Sequence, residues 1–102
     1  MEEKIEISIL LNLYGNLLTE TQRNYMEMYY NQDLSLSEIA EIEDITRQAV
    51  RTNLLKSKKK LYEYEKKLNF MQKENNIRKV LESLKKQENK FYIEKIYEFL
   101  DF

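Results

Sequence analysis

Residues 35–50 read SLSEIAEIEDITRQAV, and this stretch decides the fold. Ser35 followed three residues later by Glu38 has the spacing of a capping box, in which hydroxyl and carboxylate each accept from the other residue's backbone N–H. A short helix should open there, with Ile39, Ala40 and Ile42 at its centre. Thr46 then stands as the N-cap of another helix beginning Arg47-Gln48-Ala49-Val50. Between them lie Glu43, Asp44 and Ile45, and Asp enters left-handed backbone more readily than most residues. Two capped helices separated by so short a turn describe a helix-turn-helix. Ala40 is small enough to sit where the two helices cross, and Ile39, Ile45, Val50 and Leu54 can close the core between them. The alternative is an ordinary helical hairpin, because Glu43 and Asp44 occupy turn positions where a hydrophobe and Gly are common in this motif.

Upstream, a helix is expected from about Lys4 to Tyr14, ended by Gly15 in a left-handed C-cap. Thr19 and Gln22 repeat the capping-box spacing, so a second helix should run to about Asn31 with Tyr25, Met26, Tyr29 and Tyr30 on its buried side. Downstream, Leu54, Ser57, Leu61, Tyr64, Leu68 and Met71 recur at alternating steps of three and four, a seam of heptad period. That pattern predicts one long helix over 47–73, roughly 40 Å at 1.5 Å per residue, interrupted only at Asn75-Asn76. In the tail, Ile77, Val80, Leu81 and Leu84 share one spacing, which Ile93, Ile96, Tyr97 and Leu100 repeat. Phe91, Tyr92, Phe99 and Phe102 add apolar area beyond what one short helix hides. The tail therefore folds back on the long helix, pairs with a second subunit, or both, and a homodimer is expected.

The chain of 102 residues has room for one domain: a helix-turn-helix part (1–60), the long helix (47–73) and C-terminal helices (76–102) forming a hairpin. With no Pro and a single Gly the punctuation a sheet requires is missing, so the fold class is all-α. Cys and His are both absent, which removes disulfides, thiolate nucleophiles, Cys/His zinc sites and imidazole acid–base chemistry. The single Gly cannot form a phosphate-binding loop, and the acid clusters (Glu2-Glu3, Glu41 with Glu43-Asp44, Glu63 and Glu65) lack the partners a catalytic or metal site needs. A binding module without cofactor, metal or catalytic residues is expected, not an enzyme. The N-terminal apolar run opens with acids and is broken by Asn12 and Asn16, so neither a signal peptide nor membrane insertion is expected, and the location should be cytoplasmic.

A net charge of −1 argues against generic affinity for nucleic acid, so any such face must come from charge segregation. Between Ile45 and Tyr62 the charged residues are Arg47, Arg51, Lys56, Lys58, Lys59 and Lys60, all cations. Arg47 and Arg51 lie one helical turn apart beside Gln48, at the end of the helix that would enter a major groove. There Arg can read guanine, Gln adenine, and the lysines can meet phosphates. Thr46, Arg47, Gln48, Arg51, Thr52, Lys56, Lys58, Lys59 and Lys60 are therefore the candidate contacts to DNA or RNA. A solvated basic face on a long helix is the competing reading, and Leu55 falls close to the reading face without helping it. Of the eight Tyr and four Phe, Tyr25, Tyr29, Tyr64 and Tyr97 fall on apolar stripes, which favours core packing over stacking platforms for bases.

The segments LLNLYGNLLTETQRNYMEMYYNQDLSLSEIAEIEDITRQAV (10–50) and LYEYEKKL (61–68) resemble the YlxM-like bacterial proteins, whose helix-turn-helix is similar to sigma-factor region 4. The resemblance covers almost the whole chain, the tail after about Asn69 being matched only in helical character. It implies a regulatory or accessory protein of the signal recognition particle pathway, since genes of that family neighbour those for the particle's GTPase and its receptor. The partners implied are the particle's RNA or its GTPase protein. Members usually carry Tyr-Asp after RQAV, where this chain has Arg51-Thr52. The exchange removes an acid and adds a base at the candidate reading face.

Overall fold

The capping residues place the first breaks in the chain. In the computed structural model, which describes residues 2–86 and 90–100, six α-helices and no strand occur among the described residues: α1 (Glu3–Tyr14), α2 (Glu20–Met26), α3 (Leu36–Glu43), α4 (Arg47–Leu68), α5 (Phe70–Lys85) and α6 (Lys90–Leu100). The fold is all-α. The backbone groups into two compact units, Met1–Met71 and Gln72–Phe102.

In the first unit, α1, α2 and α3 all pack on α4. From α1 come Ile7, Leu10, Leu11 and Tyr14, spaced i, i+3, i+4 and i+7, and all are buried. From α2 come Tyr25 and Met26, and from α3 Ile39 and Ala40. They meet Val50, Leu54, Ser57 and Leu61 of α4. Ser57 has no exposed surface, and its hydroxyl donates to the Asn53 carbonyl at 2.9 Å, so the polar group is satisfied within its own helix. Burying each fully enclosed Leu, Ile or Val is worth about 1.5–3 kcal/mol.

Both capping boxes form: Thr19 with Gln22 and Ser35 with Glu38. After Met26 the second helix widens into one π-helical turn, Glu27–Asn31, and Tyr29 turns partly outward instead of joining the core. The helix-turn-helix closes as its residues predict. Asp44 takes the left-handed conformation (φ 53°, ψ 49°), and the Ile45 N–H donates to the Ala40 carbonyl at 3.0 Å. Ile42, expected at the centre of α3, and Ile45, expected to help close the core, are instead solvent-exposed, and Ile39 and Ala40, with the partly buried Leu36, make the α3 contact.

Gly15 departs from expectation. It is right-handed (φ −55°, ψ −33°) and begins a 3-10 turn, Gly15–Leu17, which carries the chain on to Thr19 without a left-handed cap. A Cβ there would lie 3.4 Å from Leu11 Cδ1, an ordinary contact.

The helix expected over 47–73 is also corrected: it ends at Leu68, and the chain turns at Asn69 (φ 61°, ψ 26°) before α5 begins. The reason lies far away in sequence. The Tyr14 hydroxyl, at the end of α1, donates to Glu65 Oε1 at 2.6 Å and accepts from the Phe70 N–H at 3.2 Å. Glu65 Oε1 also accepts from the Met71 N–H at 3.0 Å, and the Asn69 N–H returns to the Glu65 carbonyl at 2.7 Å. Two N–H groups of the first turn of α5 are thus satisfied by side chains of α1 and α4. The Tyr14 ring packs against Tyr64 and Phe70, at centroid separations of 6.0 and 6.2 Å. Asn75-Asn76, the expected interruption, lies inside α5.

In the second unit, made of most of α5 and of α6, Leu81 and Ile93 are buried and Lys85 Nζ lies 5.3 Å from the centre of the Tyr97 ring. Ile77, Val80 and Phe91 are exposed. Phe102 and the side chains of Tyr92, Phe99 and Leu100 lie outside the described residues.

Two stability predictions follow from this geometry. Gly15→Ala should be neutral or stabilising by up to about 1 kcal/mol in urea denaturation, because the right-handed backbone suits alanine; a left-handed cap would make it destabilising. Burial, then the hydrogen bond to Glu65, raises the Tyr14 phenol above its ordinary value of 10.0, the Phe70 N–H working the other way. Burial raises Tyr30 and Tyr62 as well. A raised tyrosine pKa means that the fold holds the neutral phenol, so this stability is intact below about pH 10 and is lost as pH rises through the native values. Tyr14→Phe should therefore lower stability at neutral pH by about 1–3 kcal/mol and weaken its alkaline fall. Denaturation midpoints measured across that pH range check both effects.

Candidate nucleic-acid interface

The start of α4 is fixed by Thr46, whose hydroxyl oxygen accepts from the Ala49 N–H at 3.0 Å. Because Val50, Leu54, Ser57 and Leu61 face inward, Arg51, Thr52, Leu55, Lys56 and Lys59 between them face water. Arg47, Gln48, Arg51, Thr52, Leu55, Lys56 and Lys59 are all exposed. Gln48, Thr52, Leu55 and Lys59 follow at i, i+4, i+7 and i+11, so they share a row along the helix; Arg51 precedes Leu55 by one turn.

Thr46, Gln48, Thr52 and Lys56 line one shallow concavity together with Ala49 and Asn53. The last two were not among the expected contacts, although the row Thr46, Ala49, Asn53, Lys56 is a plain three-and-four spacing. Arg47 and Arg51 do not line that concavity; they stand exposed on the adjoining side of the first two turns. Thr46 has its hydroxyl oxygen engaged in the cap, which leaves its donor proton directed by whatever lies outside.

The four lysines separate. Lys56 and Lys59 are exposed, whereas Lys60 is half-buried. Lys58 is drawn to α1, where its ammonium forms an ion pair with Glu3. The hydrogen bond to that carboxylate raises the Lys58 pKa, against a smaller opposing effect of burial. Lys58 is thus paired with Glu3 at the surface, and that carboxylate offsets its charge locally. Acids are absent from 46–62, so the charged side chains of this stretch are all cations. Its first turn also carries the positive end of a 22-residue helix.

Among the described residues no group of His, Cys, Asp or Glu is arranged to hold a metal ion. No described helix is long and apolar enough to cross a membrane.

Comparison with known proteins agrees with the motif. Residues 1–99 match the family model UPF0122, described as helix-turn-helix protein, YlxM/p13 like. A UPF0122 protein of Clostridium kluyveri is 46% identical over 101 residues, spanning 99% of this chain and 91% of its own. One from Fusobacterium nucleatum is 45% identical over 100 residues, spanning 98% and 97%. Another, from Clostridium perfringens, is 44% identical over 90 residues, spanning 88% and 80%. With two capped helices closed at Ala40 and a family match along nearly all its length, the chain belongs to the YlxM/p13-like family of helix-turn-helix proteins.

Proposed function

We propose that this chain is a regulatory protein without catalytic activity that binds nucleic acid through the exposed face of α4, in the service of the signal recognition particle pathway. The observation that carries the binding reading is the acid-free surface formed by Arg47, Gln48, Arg51, Thr52, Lys56 and Lys59 on a chain whose net charge is −1. Such segregation lets a protein attract phosphate locally while its overall charge repels it. The pathway rests on the family resemblance, whose implied partners are the particle's RNA and its GTPase protein. A cytoplasmic location belongs to the same proposal.

A sequence-specific DNA-binding regulator is the second reading, and one observation favours it. The first turns of α4 expose Arg47, Gln48 and Arg51 together, residue types whose forked groups pair with purine edges in the major groove of B-form DNA. A-form RNA has a major groove too deep and narrow for a helix to read. If the chain pairs as the apolar excess of its C-terminal helices suggests, two such faces would favour half-sites about one helical turn apart.

Fluorescence anisotropy against labelled duplex DNA and against the purified particle, over a series of salt concentrations, tests both. Binding should weaken steeply with salt, and Lys56→Gln should reduce the slope of log K against log salt by about 1. Lys58→Gln, at the lysine already paired with Glu3, should leave that slope unchanged. Arg47→Ala and Arg51→Ala should relax base preference if DNA is read, by about 1–3 kcal/mol per bidentate contact. Absence of binding to either ligand at physiological salt would overturn the reading; selected sites without paired half-sites would remove the dimer from it.

A further inference from the structure

The exposed face of α4 holds one residue that phosphate binding does not use. Leu55 is 50% exposed, while Val50, Leu54 and Leu61 of the same helix are buried. It is surrounded along the helix by Gln48 and Thr52 on its own row, Arg51 one turn before and Lys59 one turn after. A leucine adds nothing to counterion release, and water is a poor neighbour for its side chain. Its position, on the row of Gln48 and Thr52 and one turn beyond Arg51, suits it to a surface that is partly apolar.

We infer that the ligand of this face is B-form duplex DNA and that Leu55 is a specificity-determining residue that packs on the C5 methyl group of a thymine. The inference rests on the nucleic-acid reading above and narrows it. In the major groove the base edges offer hydrogen-bond donors and acceptors everywhere and an apolar group at one place, the thymine methyl. The groove is about 12 Å wide and admits a helix, so a side chain on the central row of α4 reaches its floor. Gln48 and Arg51 precede Leu55 by two turns and one turn with the donors and acceptors suited to nearby purines, and the Thr52 methyl extends the apolar spot. RNA lacks this methyl, because uracil carries hydrogen at C5, and its A-form groove excludes the helix as well. The charge of the surroundings agrees: cations and no acid flank Leu55 from residue 46 to residue 62.

The test uses the full-length chain. A preferred duplex is first selected from a random pool at physiological salt, and each thymine in it is then replaced singly by deoxyuridine, which exchanges one methyl for hydrogen. Anisotropy should show one or two positions at which the replacement weakens binding about threefold to fivefold, the scale of one buried methyl group. Leu55→Ala should bind the unmodified duplex weaker by a similar factor and no longer distinguish thymine from uracil there. The exposed position keeps this variant folded, as circular dichroism would verify, and alanine is a good helix former.

Equal binding of thymine and deoxyuridine duplexes at every position would overturn the inference, as would retention of the difference by Leu55→Ala or failure of the selection to return a preferred sequence. If the particle or its RNA binds and duplex DNA does not, this inference fails while the nucleic-acid reading stands. If neither binds, both fail.

Discussion

The first unit depends on one narrow stripe of α4. Val50, Leu54, Ser57 and Leu61 are the buried stripe of the helix on which α1, α2 and α3 all pack, and Ser57 in it has no exposed area. In a core packed to crystal-like density, such a small residue lets neighbouring helices approach closely. The candidate interface follows from the same constraint. Once the stripe is committed inward, helical geometry turns Gln48, Thr52, Leu55 and Lys59 outward, and Thr46 fixes where the helix starts. Core and candidate interface are thus two sides of a single helix.

Tyr14 governs the other end of that helix. Its hydroxyl joins Glu65 to the first turn of α5, and its ring packs against Tyr64 and Phe70. Heptad spacing alone would carry α4 past Leu68. A left-handed Asn at 69 ends it instead, with the next two N–H groups held by the Tyr14 hydroxyl and the Glu65 carboxylate. Termination here is a tertiary event, made by a residue 51 positions from its hydrogen-bond partner.

That difference in range separates what was legible from what was not. The capping boxes at Thr19 and Ser35, the N-cap at Thr46 and the left-handed Asp44 are readable because each is completed within a few residues. The break at Asn69 is not, since Asn is a good left-handed residue only where something rewards the turn, and Asn75-Asn76 presents the same residue type without that reward. Gly15 misleads for a related reason: the residue permits a left-handed cap, but the path onward to Thr19 uses a 3-10 turn. At the candidate interface the cations are visible in the sequence, yet the capture of Lys58 by Glu3 depends on where the start of α1 packs. Leu55 is equally visible as a residue; that it stays exposed amid polar neighbours is a property of the packed helix.

The central claim, that the outward face of α4 is where this protein meets its ligand, is tested most directly by backbone amide NMR. Titrating isotope-labelled protein with a selected duplex should perturb resonances from Thr46 to Lys59, strongest around Gln48, Arg51, Thr52 and Leu55, while the amides of α1 change little. Perturbations concentrated in α5 and α6 instead, with α4 unmoved, would contradict the account.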